Sequence, residues 1–352
     1  MRNEPVISPQ NLKVALVGYG YAGKTIHAPL IKAAAGLELA TVVSSRPDDV
    51  HADLPGVTVC DLDTALADST IDLVVIATPN DLHAPQAHAA LAAGKHVVID
   101  KPFALSVAEG RAVIDHAATA GRLLSVFHCR RWDSNHQTFQ SLRPRLGDLY
   151  QFTVRYDRLR PVVRDRWRER AGPGSGIWYD LGSHLLDQAL NLFGRPDWIQ
   201  ADLADQRPGA TTTDYVHTIL GYGRLRVILH ASMMTTAPGP CLEVQGSEGA
   251  FVKYGMDTQE DMLKAGRTPG DAGWGMDPVQ GLFTPIEHDL PGKPQAIDSL
   301  PGNYLAYYEA VARAIRDGEP NPVPAEEALE VLRWLDLGEH SAREGRRLSI
   351  QD

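Results

Sequence analysis

The sequence predicts an α/β protein in two parts: a doubly wound parallel sheet at the N-terminus, then an α/β domain whose open sheet is mostly antiparallel. Three observations predict it. Up to about residue 127, short apolar runs alternate with helix-forming segments, the pattern of a parallel sheet covered on both faces. After residue 128, strand-like segments follow one another with turns and few helices. The length, 352 residues, exceeds one ordinary core, so two domains are expected. The division is placed at 1–128 and 129–352, with C-terminal helices at about 303–345 positioned to pack back on the first domain.

The elements follow in order. LKVALVG (12–18) reads as a buried strand and AGKTIHAPLIKAAAG (22–36) as a helix that stops at Gly36. LELATVVSS and IDLVVIATPN are the next strands, LHAPQAHAALAAG a helix and KHVVID a strand. SVAEGRAVIDHAATAG starts with a capping box, Ser106 with Glu109, and ends at Gly121 as C-cap. RLLSVF closes the series. In the second part, YQFTVRYDR, HTILGYG, LRVILHAS, CLEVQGS and AFVKYG read as strands, with one marked helix around 177–193. The Gly-, Pro- and Asp-rich block 257–300 reads as irregular, and two amphipathic helices end the chain.

Composition narrows the function. Hydrophobic residues at 43% and charged residues at 22% are ordinary for a globular enzyme. A net charge of -10 argues against nucleic-acid binding. No apolar run approaches the roughly 20 residues of a membrane span. The start, MRNEPVISPQN, lacks the apolar core of a signal peptide and reads as a short loose tail. Cys60, Cys129 and Cys241 are far apart, which fits free thiols in a reducing cytoplasm. No HExxH or CxxC occurs, so no metal site is expected.

Gly18, Gly20 and Gly23 form GxGxxG between a strand and a helix, with Tyr21 and Ala22 inside the turn. The first glycine permits the turn, the second lets a pyrophosphate approach the backbone, and the third lets helix pack on strand. In this βαβ setting the motif predicts a Rossmann dinucleotide site. The second strand ends in Ser44, Ser45 and Arg46, where NAD-binding units place a carboxylate. Two serines and a guanidinium suit a 2′-phosphate, so NADP is expected; the other reading is an exposed loop arginine.

Two stretches carry the chemistry. HVVIDKPFAL ends a strand with Asp100, Lys101 and Pro102, where doubly wound sheets bind ligands. GPGSGIWYDLGSHLLDQ places Asp180 and His184 four residues apart on one helical face, with Gln188 a turn further. Singly, these are an ordinary strand-end lysine and a solvated ion pair. Beside a dinucleotide fold they complete a site for moving a proton and a hydride.

These stretches, with GYGYAG and ATPNDLHAPQAHAALAAGKHVVIDKP, resemble the Gfo/Idh/MocA oxidoreductases over essentially the full length. SVFHCRRWD, YDRLRPVVRDRWRERAGPGSG and VKYGMDTQEDMLKAGRTP are similar to the branch containing NADP-dependent scyllo-inositol dehydrogenases. The resemblance implies a Rossmann domain, and a second domain whose open sheet serves oligomerisation and carries substrate on its other face. It implies catalytic roles for Lys101, Asp180 and His184. Asp100 stands where that family usually has glutamate. The expected reaction is reversible oxidation of a secondary alcohol of a cyclic polyol or sugar, with His184 as general base. Asp180 orients the imidazole or the substrate, and Lys101 holds the reacting oxygen.

Thr78, Pro79, Asn80 and His83 are expected along the nicotinamide-ribose side, and Asp100, Lys101 and Pro102 are also assigned to the cofactor. Trp167 is placed over the nicotinamide as part of a lid. His128, Arg131 and Tyr156 are assigned to substrate with Lys101, Asp180 and His184, and Asp157 and Lys253 are secondary candidates. Arg130, Arg131 and Trp132 suit either a structural hinge or a substrate contact. Seven arginines between 155 and 170 read mostly as a solvated or subunit-facing segment. A homodimer or homotetramer is expected, because an uncovered sheet invites pairing. The rival class is an NADP(H)-sensing protein without chemistry.

Overall fold

The computed structural model describes residues 11–350; the eleven-residue tail, but for Asn11, lies outside them. β1 (Leu12–Val17), β2 (Leu37–Val43), β3 (Thr58–Cys60), β4 (Leu73–Ile76), β5 (His96–Ile99) and β6 (Leu124–Val126) form one sheet in the order β3-β2-β1-β4-β5-β6, all parallel. Every side chain of β4 is buried. That is why its sequence, Leu-Val-Val-Ile, is apolar without alternation: helices cover both faces. The strand order turns back between β1 and β4, and the crevice at that switch point opens over the strands' carboxyl ends.

A π-helical stretch, Ala22–His27, leads from the glycine turn into α1 (Ala28–Ala33). α2 (Pro47–Asp53) and α3 (Leu62–Ala67) flank β3, three elements the sequence reading passed over. A three-residue strand is too short to show a period. α4 (His83–Ala92) and α5 (Val107–Ala120) follow. Ser106 Oγ accepts from the Glu109 N–H, and Gly121 adopts φ +61° at the C-terminus, as expected. The Glu109 carboxylate bonds the N–H of Leu105, one residue earlier than a capping box requires.

After α6 (Ser134–Leu142), β7 (Leu149–Asp157), α7 (Ser183–Phe193), β8 (Trp198–Ala204), β9 (Tyr215–Tyr222), β10 (Leu225–Ser232), β11 (Leu242–Gly246) and β12 (Gly249–Lys253) build the second sheet. The block read as irregular contains α8 (Gln259–Lys264), β13 (Gly281–Glu287), β14 (Leu290–Pro291) and β15 (Gln295–Ile297). The order is β14-β13-β12-β11-β7-β10-β9-β8, with β15 on β13. The pairing is antiparallel except between β7 and β10, so the sheet is mixed.

Burial alternates along β9 to β12. Phe152, Val154, Val216, Leu220, Val227 and Leu229 turn inward, as do Leu185, Leu186 and Ala189 of α7. The opposite face stays half-exposed, through side chains such as Ile219 and Ile228. α9 (Leu305–Asp317) lies on α1, while α10 (Ala325–Glu344) runs against α5, α7 and β8. No helix among the described residues is long and apolar enough to cross a membrane.

Candidate active site

The three glycines of the first turn are held by different constraints. Gly18 has φ +98°, and a Cβ there would meet the Ala77 carbonyl oxygen at 2.8 Å. A Cβ on Gly23 would collide with the Gly18 carbonyl oxygen. A Cβ on Gly20 would have no atom of the described residues within 4 Å. A glycine that the protein's own packing does not require leaves room for a ligand, and a dinucleotide pyrophosphate fits this backbone. Arg46 stands at the edge of the turn: Nη2 donates to the Tyr19 carbonyl at 3.3 Å, and Nη1 meets Asp49 at 3.2 Å. Ser44 Oγ accepts from the Arg46 N–H at 3.1 Å; Ser45 is exposed beside it.

Across the crevice, β5 delivers Asp100, Lys101 and Pro102. Asp100 Oδ1 accepts from the Lys101 N–H at 2.8 Å, and His27 Nε2 lies 3.7 Å from the carboxylate. Burial raises the pKa of Asp100, but His27 and Lys101 outweigh it and bring the group down to about 2. Lys101 Nζ donates to the Asp180 carbonyl at 2.7 Å and to its Oδ1 at 3.0 Å. Burial also raises Asp180, yet Lys101, Arg168 and Arg158 together hold it below the usual carboxylate range.

Asp180 sits in a π-helical turn, Trp178–Gly182, and His184 follows at the start of α7. Gly182 lets the Trp178 ring close over this turn. Asp180 grips Lys101, and His184 Nδ1 is enclosed with no hydrogen-bond partner among the described residues. That leaves Nε2 as the nitrogen able to meet a ligand. Burial, then Lys101 and Arg130, push His184 well below its ordinary pKa, so the ring is neutral.

The loop residues of the first sheet brace the crevice. Thr78 Oγ1 donates to Gln86 at 2.7 Å, and Asn80 Nδ2 donates to the Gly174 carbonyl at 3.3 Å, joining the two domains. Pro79 precedes this turn. His83 faces inward instead of lining the crevice: its nitrogens lie 2.8 and 2.9 Å from the Pro102 and Thr78 carbonyl oxygens. Trp167 is 38% exposed, with the Arg168 guanidinium 5.1 Å from its ring. Tyr21 donates to Glu260 of α8 at 2.6 Å, a second link between domains.

Three residues expected at substrate lie one layer deeper. Arg131 is gripped by Asp187 (2.6 Å) and Glu327 (2.6 Å), which ties α7 to α10. His128 is buried 3.9 Å from the same Asp187, and burial lowers it to about 4. Tyr156 donates to Gln188 at 3.0 Å beneath the Arg130 guanidinium. Lys253 is fully buried on Asp277 at 2.6 Å, and Asp157 Oδ1 lies 3.3 Å from His230 Nε2. The links through Asn80–Gly174 and Tyr21–Glu260 escaped the sequence reading, since no local pattern ties residues so far apart.

Two family descriptions match almost end to end: "Oxidoreductase family, NAD-binding Rossmann fold" over residues 12–128 and "Oxidoreductase family, C-terminal alpha/beta domain" over 142–350. The chain belongs to the Gfo/Idh/MocA oxidoreductase family. Within this family it is 49% identical to the uncharacterised oxidoreductase YdgJ of Escherichia coli (strain K12), over 97% of the chain and 99% of that protein. It is 39% identical to the scyllo-inositol 2-dehydrogenase (NADP(+)) IolW of Bacillus subtilis (strain 168), over 97% of the chain and 96% of IolW. An oxidoreductase structure from Yersinia pestis, YPO2259, superposes with a TM-score of 0.94 at 46% identity, covering 98% of both chains.

Proposed function

We propose that the protein moves a hydride between NADP(H) and a secondary alcohol or ketone of a cyclic polyol or sugar, with scyllo-inositol and its ketone the leading pair. The observation that carries it is the Lys101–Asp180 pair beside a neutral, buried His184 at the carboxyl end of β5. His184, kept unprotonated by burial and the neighbouring cations, takes the hydroxyl proton on Nε2. Lys101 donates to the reacting oxygen and stabilises negative charge as it develops there. Asp180 fixes the ammonium through two contacts. A nicotinamide dinucleotide, when bound, accepts the hydride. Arg46 beside the glycine turn supports the 2′-phosphate form, as does the NADP(+) in the name of IolW. The half-exposed face of the second sheet suits pairing with further copies, as homodimer or homotetramer, in the cytoplasm.

The test is absorbance of reduced nicotinamide with NADP or NAD against inositols and aldoses. Rapid reduction of NADP by scyllo-inositol, with NAD slower, is the expected result. Reduction by an aldose alone would retain the mechanism and change the substrate. Tight NADP binding with no turnover across the panel would overturn the reading in favour of a sensor.

A further inference from the structure

The arginine-rich segment after β7 is not spread evenly over solvent. Tyr156 points from β7 towards α7, where its hydroxyl meets Gln188. Past it the parallel pairing ends and a single antiparallel bridge joins Leu159 to Met234, while Arg158 N–H donates to the Ser232 carbonyl at 2.8 Å and Arg160 N–H to the Met233 carbonyl at 2.7 Å, so the backbone stays extended. Alternation therefore places Arg158 and Arg160 on the face of Tyr156, towards Asp180 and His184. Leu159 between them is 53% exposed, and Arg155 pairs with Glu243 on the other face.

Most neighbouring guanidiniums have acids of their own. Arg166 holds Glu169, Arg170 holds Asp165, and Arg207 holds both Glu169 and Asp214. Arg158 and Arg160 are half-buried and have no acidic side chain within ion-pair distance among the described residues. The carboxylate that feels both charges, Asp180, already grips Lys101, and Arg168 Nε stands 4.0 Å from it. The Arg158 charge is felt at both Asp180 and His184, as the smallest of the causes named for each.

We infer that the substrate of this site carries an oxyanion, a phosphate monoester or a carboxylate, and that Arg158 and Arg160 bind it beside Lys101 and His184. The inference rests on the oxidoreductase reading above and keeps its reaction, but sets a polyol or sugar bearing an anionic group in place of neutral scyllo-inositol as the leading substrate. A half-buried cation without a counter-charge has lost hydration that only an anion restores well, and guanidinium meets carboxylate or phosphate through paired, charge-assisted bonds. The dinucleotide's own phosphates do not supply the anion on this reading, because Gly20 and Arg46 hold them on the first sheet.

The experiment is calorimetric titration of the NADP-loaded protein with charge-matched pairs: myo-inositol 1-phosphate against myo-inositol, and glucuronate against glucose. One charged member of these pairs is expected to bind about 10- to 100-fold more tightly than its neutral partner, and which one does so distinguishes phosphate from carboxylate. The advantage should shrink as salt rises. It should vanish in R158Q/R160Q with the NADP affinity of that variant unchanged. Equal affinity for charged and neutral ligands in the wild type overturns the inference without help from any variant. An advantage that survives R158Q/R160Q overturns it too. Absorbance on the same samples separates the two readings: tight anion binding without nicotinamide reduction keeps this site and removes the oxidoreductase reading.

Discussion

On the first-sheet wall of the cleft, shape comes from backbone: Gly18 with φ +98°, Gly20 facing open space, and Gly23 pressed against Gly18. On the facing wall it comes from side chains brought from separate elements of both domains. Lys101 arrives from the end of β5, Asp180 and His184 from the turn into α7, Arg158 and Arg160 from beyond β7. A backbone cradle for pyrophosphate needs contiguous residues, because only neighbouring N–H groups converge on one anion. A site that grips a small substrate needs groups from several directions, so its parts are scattered along the chain. The first wall sets which cofactor class fits, and the second sets what reacts.

The sharpest way to test that division is to disable one wall and watch the other. His184→Ala should lower turnover by about 10²- to 10⁴-fold while NADP affinity, measured by fluorescence titration, stays near wild type. Unchanged turnover would mean that another group takes the proton. On the opposite wall, Gly23→Ala forces a methyl group onto a carbonyl that cannot retreat, at a cost of about 3 kcal/mol in a thermal melt. Gly20→Ala meets no protein atom, so its melting temperature should match wild type while dinucleotide binding weakens tenfold or more, by about 1.4 kcal/mol. If Gly20→Ala binds normally, the open space there is not a phosphate cradle.

The same division explains what the sequence made legible. GxGxxG, the β-strand hydrophobicity and the Ser106 and Gly121 caps are local, so their chemistry is written in neighbouring letters. Asp180 and His184 were visible as a pair by helical spacing, but the spacing suggested that they face each other. The π-helical turn instead aims Asp180 at Lys101, 79 positions away in sequence. Arg131 reads as a cation near the cleft, and only the fold shows Asp187 and Glu327 closing around it. β8 and the strands between 281 and 297 were missed because several are short, partly exposed, and interrupted by Gly and Pro. The parallel pairing of β7 with β10 depends on a long crossover through α7, β8 and β9, which no window of sequence contains.

Smaller effects sharpen the comparison within each wall. Arg46→Ala should weaken NADP by about 10- to 100-fold and leave NAD nearly unchanged, because the guanidinium offers charge-assisted bonds only to the 2′-phosphate. Equal loss for both dinucleotides would return Arg46 to the role of a loop residue joined to Asp49 and the Tyr19 carbonyl.

The last test is the acid limb of kcat/KM with a neutral polyol. Burial lowers the pKa of His184 first, and the charges of Lys101, Arg130 and Arg158 add to it, with His128 contributing when protonated. A base must be neutral to act, so activity should persist below the ordinary histidine pKa of about 6.5 before it falls. In Arg158→Gln one of the positive charges opposing protonation is gone. His184 then protonates more readily, its pKa rises, and the limb moves to higher pH. Arg46→Ala removes the same charge from the other wall, and its limb should stay in place. A limb that moves equally in both variants would mean that net charge, rather than the local field at His184, sets the profile. A limb that moves in neither would mean that a different group is titrating.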